Sequence, residues 1–420
     1  MMKTKLLALA VAAAGAAFAS FKTENGRVSF FGAASPEEVA EARAGLSSKN
    51  VHAGMASVRL VSPDDATLDA VVNAFPVCRQ FTVDSANVSS FAPLAKLKRV
   101  KKLDIMNSRV ADLSPVADVC MVEDVSLYGS EVCDFAPLAR CAGLRSLNFY
   151  ATRTPPEAYA TLGALAQVKS FQGGLTGMKS LEWVRGVPGM EELQLFAEDI
   201  CDFSPLSTLG RLRKFRAWNM DGEELSPSHP VAELGDVSFL ASCRSLETLE
   251  LPGSSYWNLA SLSTLSLLKR VVLSGARKDV DLSFLATCKK LEMLDVSVPG
   301  APVTGFAALA DHPALKYCNL AEVGPIDLSF MSTCPAMTTL NISGSDAMAS
   351  DISNFGALAG APSLVTLDMR NVRGCSLAHL KDCPRLVNVI LTKGAFPPED
   401  VRSLEEALRA NSGRAIVAER

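Results

Sequence analysis

An apolar frame recurs along this chain at a nearly constant interval, and that interval constrains the fold more than any other feature. The stretch Leu97-Lys-Arg-Val100-Lys-Lys-Leu103-Asp-Ile105 spaces its apolar residues three, three and two apart. The frame returns as Val119, Val122, Val125, Leu127 and again as Cys141, Leu144, Leu147, Phe149. Its third position is held in turn by Phe81, Leu103, Val125, Leu147, Phe171, Leu193 and Phe215. It continues with Leu249, Val271, Leu294, Cys318, Leu340, Leu367 and Val389. Eight of the thirteen gaps between these markers are 22 residues, the others being 24, 34, 23, 24 and 27. Self-similarity at such a period is the signature of a stacked repeat architecture.

Each unit supplies a short strand, a turn and a return segment. Side chains alternate across a strand, so Leu103 and Ile105 point inward while Lys102, Asp104 and Met106 point out. One unit cannot bury its own apolar face, so neighbours stack into a parallel sheet and share a continuous core. The bulkier return segments form the outer wall. The expectation is an α/β solenoid of about 14 repeats, curved, with the parallel sheet on its concave face. Short helical or 3-10 return segments line the convex face. A core of Leu, Val and Ala suits such thin layers: 48% of residues are hydrophobic and only 6% aromatic.

The return segments carry their own signal: Asp112-Leu-Ser-Pro-Val116, Asp134-Phe-Ala-Pro-Leu138, Asp202-Phe-Ser-Pro-Leu206, Asp281-Leu-Ser-Phe-Leu285 and Asp327-Leu-Ser-Phe-Met331. An Asp before an apolar turn, with Pro in the first turn, is helix-start chemistry. A column of carboxylates can also be drawn as metal ligands, but recurrence once per unit beside a turn fits capping.

The Asp-opened turn, the 22-residue period and the apolar frame together resemble the bacterial internalin-type leucine-rich repeats. The Cys ahead of the strand frame, as in Phe284-Leu-Ala-Thr-Cys288-Lys-Lys-Leu291, is similar to repeats of the treponemal type. The resemblance covers roughly residues 75 to 395. It implies a curved solenoid that binds a protein, peptide or glycan on its concave face. No C-terminal sorting motif or cell-wall module is read in the sequence, so host-cell invasion is not implied.

The ends read differently. Lys3 and Lys5, the apolar run Leu6 to Ala14 and Ala17-Phe18-Ala19 have the form of a signal peptide over residues 1–19, so the mature protein is expected outside the cytoplasm, secreted or periplasmic. The residue directly after the cleavage site is Ser20, not Cys, which argues against a lipid anchor, and no later apolar run is long enough to span a membrane. Residues 20–74 form an N-terminal cap region. Within it Ser35-Pro36-Glu37-Glu38 opens a helix over 36–45, and Val58 to Val61 make an edge strand. The solenoid proper spans 75–395, with an insertion at about 223–233, containing Pro227, Pro230, Ser226 and Ser228, explaining the 34-residue gap. Residues 396–420 form a C-terminal cap, with Val401, Leu404 and Leu408 at helical spacing and a last strand over Ala415 to Ala418.

The eleven Cys cannot all close into intramolecular pairs. Cys141, Cys243, Cys288, Cys334 and Cys383 share one frame position, the last four in alternate units. Alternate strands stand about 10 Å apart, beyond the reach of about 7 Å that a disulfide allows between Cα atoms. The column therefore reads as small buried residues, and Cys120 with Cys141 is the one pair worth testing. The formal charge is −4, and −6 once Lys3 and Lys5 are removed (39 basic against 45 acidic). That balance gives no electrostatic footprint for nucleic acid or an anionic membrane.

Catalytic signatures are missing: no Gly-rich phosphate loop, no HExxH pair, no Gly-x-Ser-x-Gly elbow and no Cys-x-x-Cys zinc pair. Of the four His, His312 takes the buried frame position held elsewhere by Cys, and His229 lies in the insertion. No enzyme activity, cofactor or metal is expected. The outward position after the second inward strand residue is more informative. There Met106, Tyr128, Tyr150, Phe196 and Trp218 stand in one column, whereas later units carry mostly small or polar residues. Gln194 and Arg216 lie one column over, and Tyr256 and Trp257 follow in the next turn. Clustered rings on an open face are what binding hot spots use; the bland reading is rings that stack on one another and shield the sheet. The sequence thus predicts a non-enzymatic recognition protein for a protein, peptide or glycan. The alternative is a structural envelope protein that associates with itself, which sedimentation at rising concentration distinguishes.

Overall fold

A computed structural model describes residues 20–24, 26–46, 56–110, 112–119, 121–151, 154–175, 177–196, 199–218, 233–276, 279–299, 302–346 and 349–419. The segment 1–19 read as a signal peptide, His52, Cys120, His229 and all but the last residue of the 223–233 insertion lie outside them. The chain divides into two compact units, Met1–Leu144 and Arg145–Arg420.

In the N-terminal unit the sheet contains β1 (Phe21–Glu24), β2 (Arg27–Phe31), β3 (Ser57–Val61), β4 (Gln80–Asp84), β5 (Lys102–Met106) and β6 (Asp124–Ser126). The strands β2 to β6 run parallel, and the frame residues align as Val28, Val58, Phe81, Leu103, Val125. The strand at Val58 is therefore not an edge, as the sequence suggested. Beyond it lies β2, and β1 pairs with β2 as an antiparallel hairpin. The frame enters β2 without its preceding apolar spacers, yet Val28 and Phe30 alternate inward and are fully buried.

The first two return segments are α-helices, α1 (Pro36–Gly45) and α2 (Asp65–Ala74). Ser35 caps α1: its Oγ accepts the Glu38 N–H (3.2 Å), while the Glu38 carboxylate accepts the Ser35 N–H (2.8 Å). In α2, which the sequence reading missed, Asp64 accepts the Thr67 N–H (2.8 Å) and Leu68, Val71 and Val72 form the buried stripe. That i, i+3, i+4 spacing is what buries one side of a helix.

The C-terminal unit contains β7 (Ser146–Ala151), β8 (Ser170–Leu175), β9 (Glu192–Phe196), β10 (Lys214–Trp218), β11 (Thr248–Glu250) and β12 (Arg270–Val272). It continues with β13 (Met293–Asp295), β14 (Tyr317–Asn319), β15 (Thr339–Asn341), β16 (Thr366–Asp368), β17 (Asn388–Leu391) and β18 (Ile416–Glu419). Each pairs parallel with the next, and Leu147 through Val389 align in one row that ends on Val417. The row from Leu147 to Val389 is buried throughout. The 34-residue gap is accommodated without a break in register, Phe215 pairing directly with Leu249.

The intervening return segments here are 3-10 turns, and the Asp column opens several of them. Asp202 Oδ1 accepts the Ser204 N–H (3.0 Å), Asp236 that of Ser238 (2.8 Å), Asp281 that of Ser283 (3.0 Å) and Asp327 that of Ser329 (2.9 Å). Asp112 and Asp134 do the same in the N-terminal unit. These bonds satisfy N–H groups that a short helix leaves unpaired. After the last repeat, α3 (Pro398–Ser412) buries Leu404 and Leu408, so the final layer of the core is covered.

The Cys column has a role beyond small size. Each thiol reaches a carbonyl oxygen of the preceding unit: Cys243 to Leu206 (3.4 Å), Cys288 to Leu265 (3.4 Å), Cys334 to Leu309 (3.2 Å) and Cys383 to Leu358 (3.2 Å). In the same column His312, fully buried, sets Nε2 3.0 Å from the Leu285 oxygen. A buried carbonyl without a partner is costly, so the column links successive return turns. Burial pushes the Cys243 thiol up to about 12 and Cys288 up to about 11, which keeps both protonated.

Candidate binding face

The strands β7 to β10 present an aromatic ladder on their outward face. Parallel register brings Tyr150, Gly174, Phe196 and Trp218 into one row. Tyr150 and Phe196 stand on strands two apart, yet their ring centroids are 4.9 Å apart at 65°. Gly174 makes this contact available: a Cβ there would sit 3.6 Å from Phe196 Cδ2 and 3.9 Å from Tyr150 Cδ1. A larger side chain would hold the rings apart. Phe196 then meets Trp218 at 4.5 Å and 60°. Both contacts are edge-to-face, the favoured geometry for ring pairs. All three rings are half-buried.

Next to the ladder lies an ionic cluster. The Arg216 guanidinium carbon is 4.2 Å from the Trp218 ring centroid, a cation–π contact. Arg216 Nε is 3.3 Å from Glu250 Oε2, and Arg270 Nε is 2.6 Å from Glu250 Oε1. Two guanidiniums thus share one buried carboxylate. Gln194 stands between Gln172 and Arg216 in the neighbouring row, half-buried.

Other sequence-chosen residues fall elsewhere. Met106, half-buried on β5, and Tyr128, 42% exposed, belong to the N-terminal unit. Tyr256 is a correction: it is 2% exposed and its hydroxyl faces the Leu273 oxygen at 3.4 Å, so it is a core residue. Trp257 is 50% exposed, but it lies on a short strand, Ser255–Trp257, that pairs with Glu233–Asp236 outside the main sheet. Strand alternation explains the split, one ring turned in and the next out. The sequence reading took both for turn residues.

Sequence reasoning missed Arg270, Glu250 and Gly174. Glu250 becomes the lateral neighbour of Arg216 only once the register across the 34-residue gap is known, and Arg270 reaches it from the next strand. It also missed a charge ladder one residue before the outward strand positions. In that ladder Lys169 pairs with Glu191 (2.7 Å), Arg213 with Glu247 (2.8 Å), Lys269 with Glu247 (2.6 Å) and Lys316 with Glu292 (2.9 Å). Alternating sign at a fixed frame position was the signal. In the ladder Arg213 and Lys269 share Glu247, just as Arg216 and Arg270 share Glu250 beside it.

Among the described residues no group of His, Cys, Asp or Glu is arranged to hold a metal ion. No described helix is long and apolar enough to cross a membrane. A cleft of about 500 Å³ on the return side is lined by Met178 and Trp183. At its rim Lys179 is engaged with Asp199 and Glu182 with Arg185.

No family model matches the chain, and no curated protein does. Solved structures do resemble it in fold. An internalin (inlF) from Listeria monocytogenes is 13% identical with a TM-score of 0.56, the match covering 84% of this chain and 93% of that one. A leucine-rich-repeat protein from Leptospira interrogans is 9% identical with a TM-score of 0.52, covering 89% and 92%. A plant peptide-hormone receptor, solved with its peptide RGF2, is 11% identical with a TM-score of 0.53, covering 90% and 72%. The parallel register, the 3-10 returns and these likenesses define the fold as a leucine-rich-repeat solenoid of the kind seen in internalins.

Proposed function

We propose that this protein is a non-enzymatic, extracytoplasmic recognition module whose ring-bearing strand face, β7 to β10, docks a protein or peptide. The observation that carries the reading is the row Tyr150, Phe196, Trp218: three half-buried rings in successive contact on the outward face of the sheet. Rigid rings lose little conformational entropy on binding and offer large contact area. The leading segment, read as a signal peptide, supports a site of action outside the cytoplasm. The plant receptor of similar fold is described with a bound peptide, which supports a polypeptide ligand here.

The test is a paired pull-down from extracts with the wild type and the double variant Tyr150→Ala/Trp218→Ala. The variant is expected to lose the partner. Each ring contact contributes only about 0.5–1.5 kcal/mol, so its thermal midpoint should fall by a few degrees at most. Retention of the partner by a folded double variant would rule the ladder out as the site.

A further inference from the structure

We infer that the face takes an acidic polypeptide segment, one with an apolar anchor residue for the rings and a carboxylate for the arginines beside them; this deepens the docking function just proposed and rests on it. The outward positions of β9 to β12 include three cations, Lys214, Arg216 and Arg270, against two anions, Glu192 and Glu250. The chain as a whole has a net charge of −4, so this patch runs against the global sign. Glu250 is buried and offers one oxygen to each arginine. A guanidinium carries five N–H donors in a planar fork and favours two-pronged contact with a carboxylate. The pair Arg216 and Arg270 therefore keeps donor capacity for a second carboxylate, and both side chains are about two-fifths exposed (38% and 44%).

Geometry sets the spacing of that ligand. Arg216 stands two residues from Trp218 along one strand, and Arg270 is two strands further over. An extended chain rises about 3.3 Å per residue, so anchor and acid lie about two to four residues apart. The ring arrangement argues for polypeptide over sugar. Interplanar angles of 65° and 60° give a herringbone surface, not a flat platform, and Arg216 covers one face of Trp218.

The experiment titrates the full chain with an array of linear peptides. Each carries a Phe or Leu anchor with Asp or Glu two to four residues away, and each has an Asn or Gln counterpart; soluble glycan oligomers form a second arm. Acidic peptides are expected to bind at least about tenfold more tightly than their amide counterparts, with the difference shrinking at high ionic strength. Arg216→Gln and Arg270→Gln should each reduce that preference, and Glu250→Gln should increase it. Equal binding of acidic and amide peptides, or binding of glycans alone, overturns the inference. Should the arginine variants fail to fold, the wild-type acid-to-amide ratio and its salt dependence decide. Loss of peptide binding in Tyr150→Ala/Trp218→Ala without any acid preference sinks the inference but leaves the docking face standing. Acid-selective binding untouched by the double variant removes the ladder itself.

Discussion

Two stretches of one sheet, β7 to β10 and β13 to β16, share a core frame but differ on the outward face. The first has strands of five or six residues, while the second has strands of three. The cause lies in the middle outward residue. In the second stretch it is Asp295, Asn319, Asn341 or Asp368, and each accepts the N–H two residues on, from Ser297, Ala321, Ser343 and Arg370 at 3.0 to 3.3 Å. Such a local turn competes with the strand ladder and ends it. In the first stretch Asn148, Gln172, Gln194 and Arg216 occupy that position, and the short Asn148 leaves its Oδ1 without a hydrogen-bond partner among the described residues. In these strands pairing continues for two more residues and delivers the ring row onto the sheet. Closure of this local turn, made by all four residues in β13 to β16 and not by Asn148 in β7, thus marks off the self-satisfied surface.

The largest effect that sharpens this contrast comes from adjacent glycines on opposite faces of β8. A Cβ at Gly173 would lie 2.5 Å from the Phe149 carbonyl oxygen and 2.9 Å from the Phe171 ring. Gly173→Ala should destabilise by about 1–3 kcal/mol, the usual cost of overpacking. Gly174→Ala meets only ordinary contacts and should cost well under about 1 kcal/mol. Chemical denaturation of both variants checks this; equal losses would mean that the rings are as tightly packed as the core.

A middling effect is expected from the turn-forming residues. Asn341→Leu removes the acceptor for the Ser343 N–H and should cost about 1 kcal/mol. In hydrogen exchange the Ser343 amide should lose protection while the Leu340 core is unaffected. The smallest effect is acid sensitivity. The backbone N–H of Ser238 holds the Asp236 carboxyl below its ordinary 3.8, and hydrogen bonds from Ser204 do the same for Asp202. Groups whose folded pKa is lowered stabilise the protein above the unfolded value and lose that contribution as pH falls through the folded one. The thermal midpoint should therefore be flat above about pH 5 and decline below 3.8, with Asp202→Asn showing a shallower decline. A decline that begins near neutrality would point to other groups.

Much of this fold was legible in the sequence because burial repeats. Every marker from Phe81 to Val389 aligns in register within its own unit, including Cys318. The Asp turns were legible for the same reason. The hairpin Phe21–Phe31 was not, since it precedes the first full frame and pairs antiparallel. In the candidate site the rings were visible as a column, yet Gly174 was not, because a missing side chain matters only through the neighbours that fill its space. The burial of Tyr256 was lost by reading a strand as a turn. The arginine pair was hidden by distance in sequence, with Arg216 and Glu250 34 residues apart.

The claim that the ring-bearing stretch is the docking face is tested most directly by photo-crosslinking. A photoreactive phenylalanine analogue replaces Tyr150 in one variant of the full chain and Ser297, the matching, half-buried outward position of β13's unit, in another. Both are irradiated with the same extract. Adducts from position 150 and none from position 297 are the predicted result. Adducts from 297 alone, or equal yields from both, would contradict it.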